Sequence, residues 1–181
     1  PIYGTRPDLV EKYPTHDDKD KFWRMPTLYK TLQQKNVADR LYEKFPIILS
    51  SGRLTEYEGG GDETRSNPWL AELQQDMFAE INPADANDRG IKDGMTVWLE
   101  GPEGGRIKVK AMVTPRVGRG VVFTPYHFGG SNEGKDLVAK YPEGTAPWVR
   151  GEPANNAFTY GYDSVTAMQE TKASLCKITP A

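Results

Sequence analysis

From Phe45 onward, the chain arranges its apolar residues in short runs that Gly, Pro and Asn interrupt. These runs are five to nine residues long and rich in β-branched and aromatic residues, which is typical of strands. The runs lie at 46–51, 77–81, 95–100, 106–114, 120–125 and 173–178. Long helical patterns do not alternate with them, so a doubly wound nucleotide-binding fold is not expected. The pattern predicts a mainly β chain that forms a compact barrel with short helices.

Two Asn-Pro pairs predict short helices between these strands. An Asn that caps the first turn, followed by a Pro that fixes φ at the first helical position, is typical of a helix N-terminus. The predicted helices lie at 67–74 and 82–90, and Gly90 would end the second one. Gly104 and Gly105 permit a tight hairpin turn between two of the strands.

The first 44 residues do not share this pattern. Residues 1–30 hold four prolines, a charged cluster at 17–21 and scattered aromatics, without a period of 2 or 3.6. Such a segment suits either an arm that docks on another surface or a linker with partial order. Residues 31–44 carry a loose apolar stripe that favours a helix. We therefore expect an extended arm with a possible helix over 1–44 and a barrel over 45–181.

Composition excludes several classes of protein. Lys plus Arg number 23 and Asp plus Glu 25, so a net charge of −2 predicts no electrostatic hold on nucleic acid or anionic membrane. The longest apolar run, 45–49, is far shorter than the ~20 residues that cross a bilayer, so no membrane insertion is expected. The single Cys176 excludes a disulfide framework and a cysteine-ligated zinc or iron–sulfur site held by this chain alone. The chain starts with Pro1, which is expected if a leader was removed or if it belongs to a longer protein.

Two stretches hold candidate binding residues. Gly59 to Gly61 form either a flexible turn or a cradle whose N–H groups approach an anion, with Arg65 supplying a charge-assisted bond. This stretch is neither a Walker loop nor a dinucleotide fingerprint, because the residues that complete those motifs are missing. Arg53 follows a predicted buried strand, where it either caps carbonyl groups or points into a binding cleft.

The remaining polar candidates do not complete an active site. His127 lies in a glycine-rich turn, where a satisfied structural role is favoured because neither a second histidine nor a cysteine or serine constellation accompanies it. One of Asn155 and Asn156 would occupy a turn, and the other is available to hydrogen-bond a planar heterocycle. Cys176 lies within a strand pattern and is expected to act as a small hydrophobe. We predict no catalytic and no metal-ligating residue in this chain.

Taken together, four stretches resemble the C-terminal cofactor-binding domain of molybdopterin oxidoreductases. The first holds SSGRLTEYEGGGDETRSNPWLAELQ (50–74) and is similar to the family's Ser/Thr-Gly-Arg strand end and Thr-Arg turn. EINPADANDRGIKDGMTVWL (80–99) resembles its helix–strand unit, and VFTPYHFGG (122–130) its Pro-x-His-aromatic-Gly turn. Residues 156–178 resemble the terminal Asn-x-Leu-Thr stretch with a Lys before the last strand. The resemblance is closest to the alpha subunit of periplasmic molybdenum or tungsten formate dehydrogenases.

This resemblance implies a double-psi β-barrel of the aspartate-decarboxylase-like type. It also implies a site for a bis-molybdopterin guanine dinucleotide that carries molybdenum or tungsten. By this resemblance, the pterin would be contacted by Ser51, Gly52, Arg53 and His127. Thr64 and Arg65 would hydrogen-bond the cofactor, Asn156 would meet the nucleotide, and Lys172 would neutralise phosphate.

For the whole enzyme, the resemblance implies oxidation of formate to carbon dioxide in anaerobic respiration, with electrons passing to iron–sulfur centres. The family's metal-ligating cysteine or selenocysteine, its catalytic histidine and arginine, and its cluster cysteines lie in earlier domains and have no counterpart here. The chain would then be a cofactor clamp that is inactive alone. Its partners would be the remaining domains or large chain of the catalytic subunit and an iron–sulfur electron-transfer subunit.

Two alternatives stay open. One is the equivalent domain of another molybdopterin oxidoreductase, such as a formylmethanofuran-type or polysulfide-type enzyme. The other is a free-standing double-psi barrel that binds proteins or peptides, as such barrels do in some ATPase adaptors. Loss of Arg53, Arg65 and Lys172 would be tolerated by an adaptor but not by a cofactor clamp.

Overall fold

The structure is a computed structural model that describes residues 38–158 and 174–181. The predicted arm at 1–30 and the first part of the predicted helix at 31–44 lie outside the described residues. A four-residue helix ends that predicted segment, at Leu41–Lys44 (α1). Among the described residues, no helix combines the length and the apolar character that a membrane crossing requires.

Six strands close into a barrel. They are β1 (Ile47–Gly52), β2 (Phe78–Ile81), β3 (Thr96–Glu100), β4 (Arg106–Val113), β5 (Val121–Pro125) and β9 (Ser174–Pro180). Their order around the barrel is β1-β5-β2-β4-β3-β9. The β1–β5 and β2–β4 pairs are parallel, and the other four pairs are antiparallel. The prediction of a mainly β chain with a double-psi β-barrel is confirmed.

The strand alternation explains where the core lies. In β4, Ile107, Val109 and Ala111 are buried, and the residues between them are exposed, as expected when successive side chains point to opposite faces. Cys176 in β9 is fully buried, and burial raises the pKa of its thiol to about 12. The thiol therefore stays protonated and acts as a small hydrophobe, as predicted.

Both predicted Asn-Pro helices are present, as α2 (Pro68–Leu73) and α3 (Pro83–Asp88). The side-chain oxygen of Asn67 accepts a hydrogen bond from the backbone N–H of Trp69 at 3.0 Å. Asn82 accepts one from the N–H of Ala84, also at 3.0 Å. These are the capping bonds that the sequence predicted.

A second, three-stranded sheet was not predicted. It consists of β6 (Gly129–Asn132), β7 (Lys135–Asp136) and β8 (Arg150–Gly151), in the order β7-β6-β8. The carboxylate of Glu152 is buried and accepts the backbone N–H groups of Glu133 at 2.7 Å and Gly134 at 2.6 Å. A buried charged acceptor therefore fixes the turn between β6 and β7.

Strand direction determines which loops meet at one end of the barrel. Following the parallel and antiparallel pairs around the barrel, β1, β3 and β5 all finish at the end where β2, β4 and β9 begin. We call this end the barrel mouth. The segments after β1 and β5 and the hairpin between β3 and β4 all lie there.

Candidate cofactor-binding site

Two candidate residues follow the ends of neighbouring strands at the barrel mouth. The ends of β1 and β5 are in register at Gly52 and Pro125, and the N–H of Tyr126 donates to the carbonyl of Gly52 at 3.3 Å. Arg53 follows β1 directly, and His127 follows Tyr126. The parallel pairing therefore brings together two residues that are far apart in the sequence.

Arg53 is exposed, and its guanidinium carbon lies 5.8 Å from the ring centroid of Tyr126. Within the described part of the chain, its side chain neither donates to a carbonyl nor pairs with a carboxylate. This favours the binding-cleft interpretation of Arg53 over the carbonyl cap. Ser51 and Gly52, at the end of β1, are buried.

Residues 58–61, which we call the glycine loop, hold two candidate side chains through backbone carbonyls. The carbonyl of Gly59 lies 3.1 Å from Nε2 of His127. The carbonyl of Gly61 accepts from Nε of Arg65 at 3.0 Å. The N–H groups of the three glycines donate no hydrogen bond to the described residues. The loop therefore orients side chains with its carbonyls and keeps its N–H groups available to an anion.

The Thr-Arg turn continues this arrangement. The hydroxyl of Thr64 donates to the carbonyl of Tyr57 at 2.6 Å, and Nη1 of Arg65 donates to the carbonyl of His127 at 3.4 Å. Arg65 has no carboxylate partner within 38–158 and 174–181. Its guanidinium is thus fixed by two carbonyls, and no carboxylate of the described residues neutralises its charge.

His127 is buried but not satisfied. It is 4% exposed, and its backbone has a φ of 98°, in the left-handed region. A carbonyl only accepts, so Nε2 facing Gly59 carries the hydrogen and Nδ1 presents a lone pair. Nδ1 is buried and finds no hydrogen-bond partner among the described residues. Among the described residues only one of the two ring nitrogens has a partner, which does not fit the expectation of a fully satisfied structural histidine.

Electrostatics keeps this ring neutral. Burial lowers the pKa of His127, and the positive charges of Arg65 and Arg53 lower it further, although the hydrogen bond to Gly59 acts in the opposite direction. At neutral pH the N–H at Nε2 therefore donates, and the lone pair at Nδ1 is available as an acceptor.

Sequence analysis missed Tyr57, which directly precedes the glycine loop in the chain. Its ring is fully buried and makes edge contacts with His127 and Phe128, with ring centroids 5.6 Å and 6.0 Å apart. Its hydroxyl donates to the carbonyl of Gln74 at 2.6 Å. The sequence signal was weak, because Tyr57 ends a single 3-10 turn, Thr55–Tyr57, which is too short to show a periodicity.

A cavity of about 430 Å³ opens beside Arg65. Its volume is within the range of small-molecule sites. Arg65, Asp62 and the exposed Trp148 give it a cation, a carboxylate and an aromatic face. The remaining lining residues are Ser66, Gly129, Tyr141, Gly144, Thr145, Ala146 and Pro147.

Asn156 is placed on a different side of the barrel mouth. It lies in a 3-10 turn, Ala154–Ala157, against the β3–β4 hairpin, where a Cβ on Gly105 would collide with its carbonyl oxygen. Its side-chain amide donates to Oδ1 of Asn132 at 2.6 Å. Lys172, the eighth candidate, lies outside the described residues. In the described ranges, no three His, Cys, Asp or Glu side chains cluster as metal ligands would.

The chemistry of this donor set fits an anionic dinucleotide. Glycine N–H groups and unneutralised guanidinium groups suit phosphate oxygens. The buried lone pair on Nδ1 of His127 suits an N–H donor of a heterocycle. The structure thus brings Arg53, Arg65 and His127 into one site with the glycine loop.

Comparison with known proteins gives these observations a family. The chain is 33% identical over 162 residues to the formate dehydrogenase subunit alpha of Megalodesulfovibrio gigas, covering 85% of this chain and 14% of that protein. It is 31% identical over 183 residues to the formate dehydrogenase 2 subunit alpha (cytochrome c-553) of Nitratidesulfovibrio vulgaris, covering 98% and 17%. The chain therefore spans about a sixth of the length of these relatives.

Solved structures support the fold. Acetylene hydratase from Pelobacter acetylenicus superposes with a TM-score of 0.58 over 81% of this chain and 20% of that chain, at 18% identity. The sequence family follows from a match of residues 47–175 to the family model of the Molydopterin dinucleotide binding domain. The predicted resemblance is confirmed, and the chain belongs to the molydopterin dinucleotide-binding domain family.

Proposed function

We propose that this chain is the part of a formate dehydrogenase alpha subunit that clamps a molybdopterin guanine dinucleotide at the barrel mouth. The observation that carries the proposal is a set of hydrogen-bonding groups that the described residues leave unused. It comprises the N–H groups of Gly59 to Gly61, the guanidinium of Arg53, the N–H groups of Arg65 beyond its two bonds to carbonyls, and Nδ1 of His127. Family membership gives that set a ligand class.

Each group has a distinct role in holding the cofactor. The glycine N–H groups and Arg65 would bind phosphate oxygens, and Lys172 would add a further charge. Arg53 and His127 would meet the pterin, with Nδ1 accepting a hydrogen bond from the heterocycle. Thr64 keeps the Thr-Arg turn in place, because its hydroxyl is committed to Tyr57. Ser51 and Gly52 would shape the strand end beneath the pterin, and Asn156 would meet the nucleotide.

For the whole protein we propose formate oxidation to carbon dioxide, with electrons passing to iron–sulfur centres. When bound, the bis-molybdopterin guanine dinucleotide supplies a molybdenum or tungsten centre for two-electron chemistry. The alpha-subunit names of the relatives support this activity. Because the chain spans only about a sixth of their length, the metal ligand and the cluster ligands would come from the rest of the enzyme.

Partners and location follow from the same proposal. Residues 1–44 would dock on the remaining domains or large chain of the catalytic subunit, and an iron–sulfur subunit would take the electrons. The enzyme would act in the periplasm, in anaerobic respiration, as the resemblance implies. A second candidate is another molybdopterin oxidoreductase. The assimilatory nitrate reductase catalytic subunit of Bacillus subtilis, 27% identical over 76% of this chain, favours keeping it.

An activity assay on the native assembly separates the two candidates. The complex that contains this chain would be isolated without oxygen and supplied with a redox dye. We expect formate-dependent reduction of the dye, and no dye oxidation with nitrate. The opposite pattern would reassign the chain to the second candidate, and inactivity with both substrates in a cofactor-loaded complex would contradict the formate dehydrogenase proposal.

A further inference from the structure

Tyr57 is a buried residue that packs against the candidate site. Its side chain is 0% exposed, so it reaches a bound ligand only through its neighbours. Its hydroxyl donates to the carbonyl of Gln74, directly after α2, at 2.6 Å. This bond anchors the far end of the ring, because a buried phenol keeps the orientation in which its hydroxyl is satisfied.

The anchored tyrosine contacts both halves of the site. Its ring packs edge-on against His127, with an angle of 73° between the two planes. Its backbone carbonyl accepts from the hydroxyl of Thr64, in the turn that carries Arg65. Removing the ring would therefore take away one of the two edge contacts of the histidine, the other being with Tyr126 at 4.7 Å between ring centroids, and leave the Thr-Arg turn bonded.

His127 needs such a support. Its φ of 98° is in the left-handed region, which is unfavourable for a residue with a Cβ. Glu58, at the start of the glycine loop, also has a positive φ, of 53°. Such conformations persist only where neighbouring contacts hold them, and they concentrate at functional sites. Tyr57 precedes Glu58 in the chain and contacts the His127 ring, and its hydroxyl is bonded at Gln74, outside the site.

We propose that Tyr57 is a positioning residue of the cofactor site, which holds the His127 ring in the orientation that presents Nδ1 to the cofactor. The identity of the ligand in this inference rests on the proposed function. The orientation itself is a property of the chain without cofactor and is measured without it. Tyr57 acts through His127 and is not a catalytic residue.

The test is NMR spectroscopy of the 181-residue chain without cofactor. The chain has only two histidines, His16 and His127, so a His16→Gln variant assigns both rings. Long-range ¹H–¹⁵N correlations report which ring nitrogen carries the hydrogen, and a pH titration reports the pKa. In the wild type we expect one His127 tautomer, with the hydrogen on Nε2, and a pKa below the usual value of about 6.5.

Two variants of Tyr57 are compared with a matched tyrosine control. In Tyr57→Leu, we expect a mixture of tautomers and a rise of the His127 pKa towards its ordinary value, because the ring loses part of its burial. Tyr57→Phe keeps the ring and loses only the anchor, so we expect a smaller rise. The control is Tyr42→Leu, which removes an exposed tyrosine of α1, ahead of β1 at the end of the barrel opposite the mouth, and it should leave both readouts unchanged.

The outcomes separate this inference from the proposed function. Identical His127 tautomers and pKa values in the wild type and in Tyr57→Leu would overturn the positioning role. If Tyr57→Leu does not fold, Tyr57→Phe decides by the same criterion. In the assembled enzyme, we expect Tyr57→Leu to lower the bound guanine at least fivefold relative to Tyr42→Leu. An NMR shift with unchanged guanine would overturn the role of Tyr57 towards the cofactor. Absence of guanine from the wild-type enzyme would contradict the proposed function alone.

Discussion

Nε2 of His127 lies 3.1 Å from the carbonyl oxygen of Gly59, and this contact sets the hydrogen-bonding character of the site. Because a carbonyl accepts and never donates, the ring hydrogen is on Nε2 and the lone pair is on Nδ1. The site therefore combines one acceptor with several donors. A ligand with phosphate oxygens and a heterocyclic N–H matches that combination.

The first prediction concerns the dependence of stability on pH. The folded-state pKa of His127 is lowered, mainly by burial, so the unfolded chain binds a proton more readily than the folded chain. Stability should therefore be lost as the pH falls below the ordinary value of about 6.5, down to the lower folded-state pKa. Urea unfolding at pH 7.5, 6.5 and 5.5 would measure this loss.

The control for this prediction is His127→Asn. Asn tolerates a positive φ and does not titrate, so the part of the loss due to His127 should disappear in the variant. The same decline in the wild type and in His127→Asn would show that other groups cause the pH dependence.

The second prediction concerns Arg65→Ala. Loss of its charge-assisted bonds to phosphate should weaken cofactor binding by roughly 1.5–3 kcal/mol. The bound guanine, released by acid from the purified enzyme and quantified by chromatography, would measure the effect. Lys92→Ala is the matched control, since Lys92 is an exposed cation before β3, at the end of the barrel opposite the mouth. Equal guanine contents in the two variants would remove Arg65 from the site.

The third prediction concerns Gly61→Ala. Gly61 has a φ of +74°, and an added Cβ would lie 3.1 Å from Cδ2 of His127 and 3.2 Å from Cγ of Arg65. The backbone strain should cost about 1–2 kcal/mol, and the displaced side chains should lower the guanine content. Gly118→Ala is the control, because a Cβ there meets nothing within 4 Å and its φ is not positive. Full cofactor retention in Gly61→Ala would contradict the role that we give to the glycine loop.

The strands of the barrel were easier to predict from the sequence than the second sheet and the candidate site. The six barrel strands were predictable because β-branched runs end at Gly, Pro or Asn, and both Asn-Pro helices because capping is local. β6 was not, because its first residues are Gly129 and Gly130, which have low strand propensity, and the turn that follows it is fixed by Glu152, which is distant in the sequence.

Some residues of the candidate site were also predictable from the sequence, and their mutual contacts were not. Arg53, Arg65 and His127 were found through motifs, which are local. The bond between His127 and Gly59 joins residues 68 positions apart, and only the parallel pairing of β1 and β5 brings them together. The sequence suggested that the glycine N–H groups make the cradle, but it did not indicate that the glycine carbonyls orient the side chains. Tyr57 was missed because its ring contacts with His127 and Phe128 depend on this assembly.

The fourth prediction concerns Glu152→Gln. The carboxylate of Glu152 accepts two backbone N–H groups, whereas an amide replaces one acceptor by a donor. The free energy of unfolding should fall by about 1–3 kcal/mol, as expected for an unsatisfied buried donor. Glu143→Gln, at an exposed position, should change it little. Equal stability of the two variants in urea unfolding would contradict the structural role of Glu152.

The fifth prediction concerns the proposed arm. If residues 1–30 dock on the rest of the enzyme, their amide hydrogens should exchange rapidly in the isolated chain and slowly in the assembled enzyme. Hydrogen exchange followed by mass spectrometry measures both states, with the barrel strand β4 as an internal reference. Strong protection of 1–30 in the isolated chain would argue against docking on a partner.

The most direct test of the central claim is the cofactor content of the native assembly. The protein would be purified from its host without oxygen, and molybdenum, tungsten and guanine nucleotide would be assayed in the fraction that contains this chain. We predict metal and guanine in a fixed ratio, co-purifying with the rest of the catalytic subunit. An intact barrel with neither metal nor guanine would contradict the cofactor clamp and leave only the fold assignment.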